Sequence, residues 1–408
     1  MKLSKGVLLI ILLIWYSAFA SLWSNAANQV ALYIAIPLAT VLCFFQKGAL
    51  NPNKYFKILF VLLIWIFISY FWAEYKLVAE QQLTQILGTL ILCYIYNVVS
   101  KNEKAIPYLY ITYIILFIGA AIYAKENILE TLDKSNSQLD DKKLNANTLA
   151  YYMFYLTYAV YELRTFMKRK LSRITIEGLF ILMIPLTIAV AILTASRQVL
   201  IIQIPLIAIL LYLRYIKDAT LRSKVMFILL AVVCIAYATP HVVEIYDDSY
   251  LKTRNELSVK DDTRLLLLRD AFKVGMNHFP VGVGPGNYVY YSPTKNFSHN
   301  VYAELFVNEG IIGLILYCWM ILLFLSRQIK RYRLYKDKQY LVFLLFGIIY
   351  AIDGLFYVFY PYLWLMGVFI LVASYSEVYY NNRIGNVKVN TSQSSSSCRS
   401  SFARYSSR

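Results

Sequence analysis

The side chains best suited to chemistry gather in three places along the 408-residue chain. The first is Ser298-His299-Asn300, directly ahead of a long apolar run, where His299 is one of three histidines, with His241 and His278. An imidazole changes charge near neutrality, so it can take up or give a proton under ordinary conditions. His299, Ala303, Phe306, Gly310 and Gly313 follow helical spacing, which predicts one shared face whose small residues let a neighbour pack closely. Glu304 and Glu309 lie in the same run, where a carboxylate is costly, and together they predict a water-filled cavity at that end of the helix. The second place is the short turn Leu193-Thr194-Ala195-Ser196-Arg197-Gln198. Arg197 fits two readings there, a side chain snorkelling to lipid headgroups or an anion ligand at the mouth of a cavity, because a guanidinium grips phosphate through paired hydrogen bonds. The third runs from His278 to Tyr288, where Gly282, Gly284, Gly286, Pro280 and Pro285 break any helix and allow backbone to pass close to another group. It lacks the Gly-Lys-Ser/Thr ending of a nucleotide loop. Cys43, Cys93, Cys234 and Cys318 fall in apolar stretches and Cys398 near the C-terminus, which is neither a disulfide framework nor a metal spacing.

The elements that must position these residues are membrane helices. Hydrophobic residues make up 59% of the chain and charged ones 15%, with a mean hydropathy of +0.54, too little polar surface for a cytosolic enzyme. A span needs about 20 mostly apolar residues. Twelve stretches qualify, at 6–23, 29–46, 55–72, 83–99, 105–124, 147–163, 178–195, 199–216, 225–240, 301–326, 339–359 and 361–379. The first also resembles a secretory signal peptide in Lys2, Lys5 and the small-residue run Ala18-Phe19-Ala20, and its removal would leave every later span in the same orientation. The formal charge of +17 would ordinarily raise nucleic acid as a partner. Its placement argues otherwise: with the N-terminus inside, 26 of the 40 Lys and Arg fall in cytoplasmic segments and 13 outside, the bias that sets membrane topology. The expectation is an all-α polytopic membrane domain over 1–380, with about twelve transmembrane helices, both termini cytoplasmic and no nucleic-acid partner. A large periplasmic loop at 241–299 would carry an amphipathic helix from Asp262 to Met276, with Leu265, Leu268, Phe272 and Met276 as its apolar stripe. The Ser-rich segment 381–408 is expected to be a disordered cytoplasmic tail.

His299-Asn300, nine residues, Gly310, two residues, Gly313 resembles the signature of the bacterial O-antigen ligase and O-antigen polymerase family. Thr194 to Arg197 resembles that family's Thr/Ser-x-Ser-Arg turn, Arg264 its outer-helix arginine, and His278 to Tyr288 its Gly-rich stretch, with Phe279 ahead of Pro280 and Leu268 as departures. The resemblance covers the chain from about residue 145 to 380. It implies a metal- and cofactor-free glycosyltransferase of the inner membrane. Such an enzyme moves a glycan from undecaprenyl diphosphate to an acceptor at the periplasmic face with inversion, the acceptor being the lipid A–core sugar or a second lipid-linked glycan. Arg197 and Arg264 would then hold the charge that develops on the departing diphosphate. His299 would take the proton of the acceptor hydroxyl or serve as a third diphosphate ligand. Asn300, Glu309, Gly284 and Gly286 would help bind substrate, Arg269 is an alternative to Arg264, and the basic inner loops would meet anionic lipid headgroups. A ligase is the leading expectation and a polysaccharide polymerase the alternative, followed by protein O-glycosylation. A secondary transporter or flippase using Asp353 as a proton site is the reading from a different class.

Overall fold

In lipid an apolar run can satisfy its backbone N–H and C=O groups only within itself, as a helix. The computed structural model describes residues 3–23, 25–133, 146–194, 196–226, 228–229, 236, 239–240, 243–244, 263–293 and 295–405. Among them there is helix and no strand. The elements are α1 (Lys5–Trp23), α2 (Ala26–Phe44), α3 (Lys54–Ser69), α4 (Lys76–Val99), α5 (Ile106–Asp133), α6 (Ala146–Phe166), α7 (Lys170–Leu193), α8 (Arg197–Leu211), α9 (Thr263–Asn277), α10 (Tyr288–Tyr291), α11 (Val301–Tyr335), α12 (Lys338–Asp353) and α13 (Leu363–Tyr405). A π turn at Ala31–Ala35 interrupts α2 just ahead of Pro37, where the missing proline N–H leaves the regular ladder one bond short.

The chain is an all-α multi-pass membrane protein. Eight helices among the described residues are long and apolar enough to cross a membrane, and each falls on a predicted span. Of the other four predictions, 6–23 falls on α1 and 147–163 lies within α6. The third, 339–359, gives the 16 residues of α12, which at 1.5 Å per residue reach about 24 Å, less than the hydrocarbon thickness. The last, 225–240, lies largely outside the described residues. Helix α13 continues past the predicted span as far as Tyr405. Once a helix is nucleated by a buried stretch such as Val368–Ala373, each added residue contributes a hydrogen bond at little further cost.

Segments predicted on one side of the membrane meet one another. Lys101 Nζ donates to the Gly48 carbonyl at 2.5 Å, and Asn382 Nδ2 to Glu103 Oε2 at 2.9 Å. Glu177 receives Arg164 and Arg214. Glu377 receives Arg331 at 2.8 Å, Arg327 at 3.2 Å and the Tyr55 hydroxyl at 3.1 Å. At the opposite end the turn after α3 packs against the segment 284–291, both predicted outside.

Candidate functional site

The site is organised by a break in α11. Gly310 has φ 66 and ψ −166, so the helix stops there and restarts. The Gly-rich segment fills the gap in the hydrogen-bond ladder. Val283 N–H donates to Val307 O at 2.9 Å and Gly284 N–H to Asn308 O at 2.8 Å, while Ile311 N–H, which would have bonded Val307, donates to Pro280 O at 3.0 Å. Val307 and Asn308 are buried, where an unsatisfied backbone group costs about 1–3 kcal/mol, so the exchange stabilises both segments. The glycines allow the approach. A Cβ on Gly282 would lie 2.5 Å from Asn308 O, one on Gly284 2.6 Å from Ala73 Cβ, and one on Gly286 3.3 Å from Gln82 Cβ. Gly284 and Gly286, expected to bind substrate, therefore meet protein on the side a Cβ would point.

The break also corrects the predicted helix face. His299 precedes the helix, Asn300 caps it, and Gly310 interrupts it, so only Ala303 and Phe306 of the five share a continuous helical surface. Asn300 Oδ1 accepts the Tyr302 and Ala303 N–H groups at 3.0 Å each, and Asn300 Nδ2 reaches Leu355 O at 3.2 Å. A capping role thus occupies the side chain expected to orient substrate.

His299 is held in a left-handed conformation, φ 54, which for a residue with a Cβ costs about 1–3 kcal/mol and persists only where its surroundings impose it. The imposing group is Glu304, 4% exposed. Its Oε2 accepts Ser298 N–H at 2.8 Å and its Oε1 accepts Asn308 Nδ2 at 3.0 Å. Asn308 Oδ1 in turn accepts Tyr288 N–H at 2.9 Å. One buried carboxylate so ties the His299 turn, α11 and α10 together. The imidazole packs against Phe297 at 4.2 Å between ring centroids. Glu304→Gln should lower stability by about 1–3 kcal/mol, read as a shift in thermal unfolding of the detergent-solubilised protein. The amide would set a donor against a donor, and turning Asn308 over would only move the clash to Tyr288 N–H.

Glu309 is buried beside the break. Its Oε2 accepts the Ser69 hydroxyl at 2.5 Å and its carbonyl accepts Trp65 Nε1 at 2.8 Å, while Oε1 makes no hydrogen bond among the described residues. Its contacts are thus with α3. Arg264 is half-buried in the first turn of α9, which packs on α11, and Arg269 is exposed. Arg197 is the first residue of α8. α8 packs on α6, α7 and α12, and α12 packs on α11. Around α11 the structure thus gathers His299, Asn300, Glu309, Arg264 and the glycines.

Helix α9 matches the expected amphipathic segment to within a residue, and the face it turns to the rest of the protein lies beside the predicted apolar stripe. Leu267 and Ala271 are buried, and a Cβ on Gly275 would lie 2.6 Å from the Phe306 ring. Leu265, Phe272 and Met276 are at least half exposed, an apolar stripe turned away from the protein as a lipid-facing surface would be. Among the described residues no three His, Cys, Asp or Glu side chains converge so as to hold a metal ion. Sequence reasoning named Ser298 and Glu304 without giving them a structural role in the site, and gave none to Asn308 and Asn287. The signal for two of them was present, since Glu304 and Asn308 are polar residues one helical turn apart within an apolar run.

Residues 179–318 match a family described as O-antigen ligase. The matched stretch runs from within α7 to within α11 and so includes Arg197, Arg264, the Gly-rich segment, His299 and the break. No curated protein matches the chain.

Proposed function

We propose, with residues 179–318 as an O-antigen ligase family segment, that this chain is a ligase-type glycosyltransferase of the bacterial inner membrane. It transfers a glycan from undecaprenyl diphosphate to a sugar of the lipid A–core at the periplasmic face. The observation that carries the proposal is the left-handed backbone of His299, in a turn whose preceding residue, Ser298, donates its N–H to the buried carboxylate of Glu304 within the matched stretch.

In this reaction the acceptor hydroxyl attacks the anomeric carbon from the side opposite the diphosphate. The new C–O bond forms as the bond to phosphate breaks, which inverts the configuration, and undecaprenyl diphosphate departs. His299 takes the hydroxyl proton. Arg264, in α9 over the start of α11, and Arg197, at the N-terminus of α8, hold the charge that develops on the leaving group. Its place at the start of α8 within the matched stretch supports this role for Arg197. The prenyl chain would lie against the apolar stripe of α9 and neighbouring spans.

Gel analysis of lipopolysaccharide from a deletion strain tests the proposal. A ligase predicts bare lipid A–core together with accumulated lipid-linked polymer. Core capped by a single repeat would mean that the same donor chemistry serves polymerisation, and an unchanged pattern would contradict both. The family match favours transfer over transport, the role in which Asp353 would have been a proton site.

A further inference from the structure

We propose that Tyr75, Tyr290 and Tyr291, with Glu74 and Lys295, form a glycan-binding platform at the outer rim of the site, which stacks one pyranose of the glycan chain on an exposed tyrosine face. The inference rests on the transferase reading above and adds to it a place for sugars remote from the reacting bond.

Two chain segments more than 200 residues apart build the platform. Tyr75 and Tyr290 stack at 4.1 Å with their planes 15° apart, and Tyr291 meets Tyr75 edge-on at 6.3 Å. The Tyr291 hydroxyl donates to Glu74 Oε2 at 2.7 Å, and the Tyr291 ring packs across His278 at 5.2 Å. Burial, followed by the bond to Glu74, pushes the Tyr291 hydroxyl up to about 12, so it remains a donor at neutral pH. Lys295 donates to Tyr290 O at 2.7 Å and places its ammonium 5.7 Å from the Tyr290 ring. Tyr75 and Tyr290 are 37% and 41% exposed, and Glu74 and Lys295 are exposed.

A pyranose presents a face of C–H groups ringed by hydroxyls. A tyrosine ring supplies the complementary flat apolar face at low entropic cost, and the Glu74 carboxylate beside Tyr291 and the Lys295 ammonium over the Tyr290 ring supply an acceptor and a donor for hydroxyls. The platform is also fixed relative to the reacting centre. Asn287, fully buried, accepts Tyr75 N–H at 2.7 Å. The adjacent Tyr288 N–H is bound by Asn308, which bonds the same Glu304 that holds the His299 turn. A belt of aromatic residues at the membrane boundary is the other use of exposed tyrosines. Such a belt sets rings singly toward lipid, whereas these two are stacked on each other, flanked by opposite charges and pinned by a buried amide.

The test measures binding of two lipid-free probes to the purified full chain in detergent by calorimetry. One is oligosaccharide released by mild acid from the source cells' own surface polysaccharide, the other the corresponding core oligosaccharide. Tyr290→Ala and Tyr75→Ala should weaken binding about tenfold, the loss of one stacking contact, and Tyr290→Phe should retain it. The probe that responds identifies whether donor or acceptor glycan lies on the platform. Equal binding by wild type and both alanine variants, no binding of either probe by wild type, or a loss confined to lipid retention would overturn the proposal. Binding through Tyr290 by a protein that transfers nothing would remove the ligase reading and leave the platform standing. Transfer without such binding would do the reverse.

Discussion

Gly310→Ala is expected to abolish recovery of folded protein. The added Cβ would lie 2.0 Å from Pro280 O and 2.6 Å from Val281 C, both backbone atoms, so no side-chain rotation relieves the clash. The backbone at φ 66 and ψ −166 is also a region that residues with a Cβ rarely enter. Relief would require pulling the Gly-rich segment out of the break, which would leave the buried carbonyls of Val307 and Asn308 without their partners. The combined cost should exceed about 4 kcal/mol, a large share of what holds a domain folded. Size-exclusion profiles of the membrane-extracted protein check this. Gly178→Ala is the control: a Cβ there meets nothing within 4 Å, and yield should be unchanged or slightly higher, since glycine within a helix is less favourable than alanine.

His299→Asn is expected to lower glycan transfer by about 10²–10⁴, the ordinary contribution of a positioned general base, with little change in thermal unfolding. Asparagine is the substitution of choice because it tolerates the left-handed backbone that this position requires, whereas alanine would add strain to the loss of the imidazole. The direction of the pH dependence distinguishes the two roles of the ring. A base must be neutral, so transfer mediated by wild type would fail as pH falls. A diphosphate ligand must be protonated, so transfer would fail as pH rises. A His299→Asn protein with full activity would remove the residue from the mechanism.

Features with a local physical cause were legible in the sequence. The spans follow from runs of apolar residues, and α9 from the 3.6-residue recurrence between Asp262 and Met276. Ser298-His299-Asn300 stood out because a histidine and a capping amide opened an apolar run. The break at Gly310 was not legible, since it depends on an exchange of backbone hydrogen bonds with residues 280–284, and a lone glycine at helical spacing reads equally as a packing contact. The face of α9 that meets protein was not legible for a related reason. In a membrane the exposed stripe of a helix is as apolar as the buried one, so periodicity finds the helix without saying which side faces protein. Glu309 was expected to help bind substrate; that Ser69 and Trp65, some 240 residues away in the chain, are its hydrogen-bond partners was not legible. Nothing near Tyr75 in the sequence points to Tyr290.

Reconstitution of the purified wild-type chain in liposomes, with lipid-linked glycan as donor and lipid A–core as acceptor, tests the central claim most directly. The account predicts a covalent glycan–core product with inverted anomeric configuration and release of undecaprenyl diphosphate in equal amount, and loss of both in His299→Asn. Donor left intact by folded wild-type protein, or equal product from wild type and His299→Asn, would contradict it.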